Sequence, residues 1–194
     1  QEGALSTNMN LMMRSGWFYS LSKGSNWGSP EGLARALEPT NDPSVLRIDS
    51  EVWGKPLRKG QVPKPGDGLA FYHSSRAEFP RPDAHKRQPR VSLVGIVESF
   101  ESLGDGDWQL SVLVSRVVAV ALPQNPVVRD ELTAGAFARS GLGTGPFASF
   151  YPVSPKDWAL FSSWVAARLP QRSQARFLRA QSGTEAVRDA PVSP

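Results

Sequence analysis

The sequence predicts an α+β domain, a small, mostly antiparallel β-barrel flanked by helices. Three observations lead there. Runs rich in aromatic and β-branched residues fill the middle of the 194-residue chain. Helix-start signatures, Ser29-Pro30 and Ser154-Pro155, stand towards the two ends. The order strand, helix, several strands, helix suits a barrel more than a parallel sheet, and no internal repeat is visible. With 40% hydrophobic and 21% charged residues, the composition is that of one globular domain with a substantial core.

Residues 1–15 carry Gly, Ser, Thr, Asn and Met without periodicity and lack the parts of a signal peptide. They read as a disordered leader or vector-derived remnant, with a natural start near Met12 or Met13. The domain is expected over residues 16–170. Trp17–Leu21 (WFYSL) is its first strand. Ser29 caps a helix over Glu31–Leu37 that Pro39 and Pro43 end. Val45–Trp53 leads into the barrel. The turn Pro65-Gly66-Asp67-Gly68 opens a strand through Leu69–Ser75. Arg76–Arg90 is a loop with five basic residues against two acidic. Val91–Phe100 is a strand, Gly104-Asp105-Gly106-Asp107 a hairpin turn, and Trp108–Leu122 a long returning strand, bent midway. A short helix is expected near Arg129–Arg139, then the Gly-rich Ser140–Phe147, then a last helix over Lys156–Leu169 capped by Ser154. Residues 171–194 read as a tail, basic and then Ser/Pro-rich.

The chain has no cysteine, so disulfides, thiolate metal sites and cysteine nucleophiles are excluded. That composition fits a cytoplasmic protein. The longest apolar run, Val117–Leu122, is far too short for a membrane span. Enzyme signatures are missing as well: no phosphate-binding GxxxxGK[ST], no GxGxxG after a strand, no GxSxG and no HExxH. The two histidines, His73 and His85, lie in different segments and make a poor metal-ligand set. No cofactor is expected. A net charge of +4 favours an anionic partner such as nucleic acid.

The tryptophans separate into two groups. Trp158, Phe161, Trp164 and Val165 recur at helical spacing and read as core, as does Trp108. Trp17, Trp27 and Trp53 stand at segment edges beside glycine and polar residues, where a flat ring is presented for stacking on a base. Trp17 fits core packing equally well.

Ser50–Ser75, SEVWGKPLRKGQVPKPGDGLAFYHSS, resembles the signature segment of the EVE domain: Trp-Gly, a Gly-Asp turn, and an apolar strand ending in Phe-Tyr-His-Ser. WFYSL is similar to that family's opening strand, and Val94-Gly95-Ile96-Val97-Glu98 to a following one. The likeness covers about residues 16–169. Two features depart from the pattern: the long Arg76–Arg90 loop, and Lys55-Pro56-Leu57-Arg58 where Arg-Asn often follows the Trp-Gly. The resemblance implies a PUA-like barrel, related to YTH domains, that reads a modified base flipped out of its stack. The implied ligand is nucleic acid, DNA favoured over RNA, carrying a base such as 5-methylcytosine. A nuclease partner of a restriction system is implied alongside it, and no catalysis by the chain itself.

Carried onto this sequence, the implied pocket draws on Trp17, Ser20, Trp27, Trp53, Gly54, Tyr72, His73, Ser74, Ser75, Phe147, Ser149 and Phe150. Trp53 would stack on the ring, while Ser20 and Ser74 would meet the base edge. Lys55, Arg58, Arg81, Lys86, Arg87 and Arg90 would contact phosphates. Tyr72 and His73 alternate along a strand, so only one of them faces the pocket. Two other functions compete. One is an ASCH-like hydrolase of a modified nucleoside, whose GxKxxExR-like motif is not found here. The other is a protein-interaction domain using the aromatic surface.

Overall fold

A computed structural model describes residues 14–21, 37, 42–49, 62–73, 89–133 and 150–183. Its strands are β1 (Gly16–Leu21), β2 (Ser44–Asp49), β3 (Gly68–His73), β4 (Arg90–Gly104), β5 (Asp107–Val114), β6 (Val127–Val128) and β7 (Phe150–Val153). Its helices are α1 (Arg116–Ala121), α2 (Arg129–Thr133), α3 (Pro155–Ala166) and α4 (Gln171–Ser182). The strands form one sheet in the order β2-β5-β4-β3-β1-β7, with β6 paired to the start of β4. The β1–β3 pair is parallel and the other ladders are antiparallel. The fold is therefore mixed α+β on a mostly antiparallel sheet. Among the described residues no ladder joins β2 to β7.

The sheet is nonetheless strongly curled. In strand order β5 and β7 are four steps apart, about 19 Å in a flat sheet. Yet Trp108 on β5 and Phe150 on β7 touch, with ring centroids 5.4 Å apart. Two side chains on one face of a flat sheet cannot reach across that gap, so the face must be concave. Gly95 serves this curvature: a Cβ there would stand 2.6 Å from both the Leu113 carbonyl oxygen and Val112 Cγ1. The close approach occurs where β4 passes from pairing β3 to pairing β5, at Ile96.

Alternation along the strands fills both faces. Trp17, Tyr19, Leu21, Leu69, Phe71 and Trp108 point into the concave side, where Tyr19 stacks on Phe150 at 4.8 Å. Phe18, Ala70, Tyr72 and Val94 point to the convex side, beneath the helices. With both faces covered, β1 and β3 read as near-continuous apolar runs. The hairpin expected at residues 104–107 forms on Asp105-Gly106, both at positive φ, a type I′ combination.

Three predicted segments differ. The strand predicted over Trp108–Leu122 ends at Val114, and Arg116–Ala121 is helix. Ser115 caps that helix, its Oγ accepting from the Val118 amide at 3.5 Å. Val118 and Leu122, one turn apart, are buried on the convex side, so packing overrides the strand preference of a valine run. The tail predicted from residue 171 is helix α4 as far as Ser182, with Phe177 and Gln181 buried. Arg14 and Ser15, assigned to the leader, belong to the fold: Ser15 accepts from the Gly68 amide at 2.9 Å, and Arg14 Nη1 donates to the Gly66 carbonyl.

Helix α3 starts where predicted, Ser154 Oγ accepting from the Asp157 amide at 3.2 Å. It delivers Trp158 onto Gly16 and Gly68, which are register partners across β1 and β3. A Cβ at either glycine would overlap the indole, so the paired glycines form a flat seat for it. Trp158 Nε1 donates to Gln181 Oε1 at 3.2 Å in the buried interior, tying α4 to α3. Of the other helices predicted, Leu37 is buried at the end of the first, and α2 covers Arg129–Thr133 of the Arg129–Arg139 segment; the rest of both lies outside the described residues.

Candidate functional site

The chain leaves the described structure after Leu21 and after His73, and re-enters at Pro89 and at Phe150. All four points lie at one end of the sheet, because Leu21 pairs with His73, His73 with Arg90, and Tyr19 with Phe150. Strand β6 joins them by pairing Val128 with Arg90. This end also holds the carboxyl termini of the parallel pair β1–β3.

Four sequence-predicted residues stand at this end, Ser20 and Tyr72 on the convex side and His73 and Arg90 on the concave one. Ser20 is half-buried and opposite Tyr72, and His73 is opposite Arg90, itself partly exposed. A β-bulge in β4 modifies the geometry: Phe71 pairs with Leu93 and Tyr72 with Val91, leaving Ser92 as the extra residue. The bulge aims Ser92 Oγ at His73 Nε2, 2.7 Å away. Exposures of 0% for His73 and 2% for Ser92 close this pair to bulk water and hold the imidazole in one orientation. The hydroxyl donates when Nε2 is unprotonated and accepts when it is protonated.

The structure also separates Tyr72 from His73. Tyr72 lies in the convex-face core with Tyr151, and His73 points to the opposite side by alternation. Burial pushes the Tyr72 phenol up to about 12, with Arg129 pulling it down and Tyr151 pushing it further up. Burial also raises Tyr19 well above the usual tyrosine range. The folded pKa of Tyr72 exceeds its unfolded value of about 10, so its contribution is fully present below pH 10 and is lost as pH rises towards 12. Stability is expected to drop by up to about 1.4 kcal/mol per pH unit through Tyr72 in that window. Urea melts of wild type and Tyr72→Phe between pH 9 and 12 check this, the variant having the shallower decline.

Two predicted pocket residues are buried on the concave side. Trp17 is 8% exposed, sits at the other half of β1, and donates its indole N–H to Asp67 Oδ2 at 2.8 Å. Asp67 is placed by a turn in which its amide donates to the Lys64 carbonyl at 3.0 Å, with Pro65 and positive-φ Gly66 at the centre, a type II combination. The same carboxylate accepts from the Lys64 amide at 2.9 Å. Phe150 is locked between Tyr19 and Trp108. Trp27, Trp53, Gly54, Ser74, Ser75, Phe147 and Ser149 lie outside the described residues, as do Lys55, Arg58, Arg81, Lys86 and Arg87.

Comparison with protein-family models, curated proteins and solved structures returns no match for this chain. The site therefore rests on its own geometry. Sequence reasoning missed Ser92 and Arg129, and reached Tyr151 only as the end of the Phe147–Tyr151 stretch that could close the opposite wall. Ser92 is a lone polar residue in an apolar strand, and nothing local signals the bulge that turns it towards His73. Arg129 and Tyr151 reach Tyr72 only through strand pairing and helix docking. Among the described residues no group of three or more His, Cys, Asp and Glu side chains is arranged to hold a metal ion, and no helix is long and apolar enough to cross a membrane.

Proposed function

We propose that this chain is an EVE-type, PUA-like module that binds a modified base of a nucleic acid, without catalysing a reaction itself. The observation that carries this reading is the arrangement of the three segments resembling the EVE domain. Trp17–Leu21, Gly68–His73 and Val94–Glu98 fall on β1, β3 and β4, three neighbouring strands at the centre of the sheet. Their polar termini, Ser20, His73 and Arg90, lie at the same end of the sheet, Ser20 on the convex side and His73 and Arg90 on the concave one. A curled sheet with an aromatic interior and helices on its outer face also suits a small barrel.

In this reading the base enters at the Ser20–His73 end. Ser20 and neighbouring backbone groups meet its edge, Trp53 stacks on it, and Arg90 joins the basic residues of the 76–90 loop at the phosphates. The fixed His73 ring, on the opposite face from Ser20, holds that end of the sheet together rather than acting as a base. DNA is the favoured polymer, and any strand cleavage belongs to a nuclease partner.

Fluorescence anisotropy tests this with matched oligonucleotides carrying cytosine, 5-methylcytosine, 5-hydroxymethylcytosine or N6-methyladenine. One modified base is expected to bind more tightly than its unmodified parent. Trp53→Ala should weaken that complex roughly 5- to 150-fold, the loss of one stacking partner. Equal binding to all four, unchanged in the variant, would falsify the reading for these bases.

A further inference from the structure

Helices α3 and α4 form an antiparallel hairpin: the connection over residues 167–170 is short, and Trp158 near the start of α3 bonds Gln181 near the end of α4. Along one side of this hairpin runs a cleft of about 280 Å³. Pro155, Trp158, Ala159 and Ser162 share the α3 face that lines it, and Leu178 of α4 lines the other wall. The cleft lies at the Gly16–Gly68 end of the sheet, away from the end that holds Ser20 and His73. Its middle is apolar and its two ends are polar. At one end Ser162 is only 3% exposed, and its Oγ has no hydrogen-bond partner among the described residues. A buried hydroxyl in that state costs stability unless something pairs with it. At the other end, about 10 Å away along α3, Arg14 closes the cleft. It lies against Gly183, just after α4, where a Cβ would stand 3.2 Å from Arg14 Nε. That Nε is also buried without a partner among the described residues, while Nη1 donates to the Gly66 carbonyl. Burial lowers the Arg14 pKa from its usual value, and the charge of Asp67 only partly restores it. A guanidinium desolvated in this way favours a further anion, and no Asp or Glu lines the cleft.

We propose that the α3–α4 cleft binds a small aryl carboxylate. Its ring lies among Trp158, Ala159 and Leu178, its carboxylate meets Arg14, and a polar atom at the far side of the ring meets Ser162 Oγ. A cavity of about 150 Å³ already takes up benzene, so the larger volume here admits a ring with a substituent at each end. A rigid ring suits the cleft better than a chain of equal length, because it loses less conformational freedom on entry. The carboxylate supplies the anion that the desolvated guanidinium lacks, in a charge-assisted hydrogen bond. This site stands apart from the nucleic-acid reading, whose failure would leave it in place.

Isothermal titration with para-hydroxyphenylacetate tests this, with phenylacetate and para-hydroxyphenylethanol as probes that each lack one polar end. Wild type should bind para-hydroxyphenylacetate with a Kd at or below about 0.1 mM. R14Q should weaken that complex roughly 10- to 150-fold, the loss of a charge-assisted contact, and bind para-hydroxyphenylethanol as wild type does. S162A should weaken it roughly 2- to 10-fold and leave phenylacetate unaffected. Without ligand, S162A should melt about 2–4 °C above wild type, because it removes an unpaired buried hydroxyl. Ala159 is exposed, so A159F should fill the cleft without touching either polar end and abolish binding of all three probes. Circular dichroism melts confirm that R14Q and A159F remain folded. No saturable heat in wild type up to about 5 mM, or binding that A159F leaves intact, overturns the site. Equal affinity for para-hydroxyphenylacetate and para-hydroxyphenylethanol overturns the carboxylate on Arg14. A lowered melting temperature in S162A overturns the pairing of Ser162 with a ligand, since its hydroxyl would then serve the fold.

Discussion

Replacing Trp158 with alanine is expected to lower folding stability by about 3–5 kcal/mol, among the largest losses any single substitution would produce here. The indole is fully buried, seated on the paired glycines of β1 and β3, and packed against Phe18 and Phe161 at centroid distances of 6.5 and 5.1 Å. Its removal leaves a cavity under α3 and strips Gln181 of the donor it accepts from in the interior. Helix α4 should loosen with it. In urea melts the midpoint should fall with little change in slope, and hydrogen exchange should rise in residues 171–182. A companion variant, Gly68→Val, should destabilise by overpacking the same seat from the strand side. A loss under about 1 kcal/mol for Trp158→Ala would mean that the indole does not occupy that seat.

Trp108→Ala is expected to cost a similar amount, about 3–5 kcal/mol, for a different reason. Trp108 is fully buried on the concave face, stacked with Phe100 at 6.0 Å and edge-on to Phe150 at 5.4 Å. The Phe150 contact exists only because the sheet curls. A double-mutant cycle on Trp108 and Phe150 should give a coupling of about 0.5–1.5 kcal/mol. In a flat sheet the two positions would be about 19 Å apart and their effects would simply add. Additivity in the cycle would therefore reject the curled arrangement.

The mixed α+β class, the first strand, the turn before β3, the Asp-Gly hairpin and the start of α3 were legible in the sequence. Each is set by residues within a few positions: alternating or aromatic runs, Pro-Gly at the centre of a turn, Asp-Gly in a two-residue loop, Ser-Pro at a helix start. The core role of Trp158, Phe161 and Val165 was legible for the same reason, since helical spacing puts them on one side of an element, and that of Trp108 from its place at a strand start after a turn. The valine run after Ser115 was not. Its residues favour a strand, and only the burial of Val118 and Leu122 on the convex face makes it a helix.

Helix α4 was hidden for a related reason. Its sequence is mostly polar and basic, and what holds it is one phenylalanine and one buried glutamine meeting a tryptophan from another helix. The candidate site divides in the same way. Residue types at the strand ends, Ser20, Tyr72, His73 and Arg90, could be picked out from the sequence. It could not distinguish Trp17 in the core from Trp17 in a pocket, because the indole's partner, Asp67, is fifty residues away. Nor could it show the Ser92 bulge, which depends on the register of two strands. Local chemistry by itself determined where elements begin and which residues are apolar. Tertiary structure decided which face each residue serves, because burial and register are properties of pairs of segments distant in the chain.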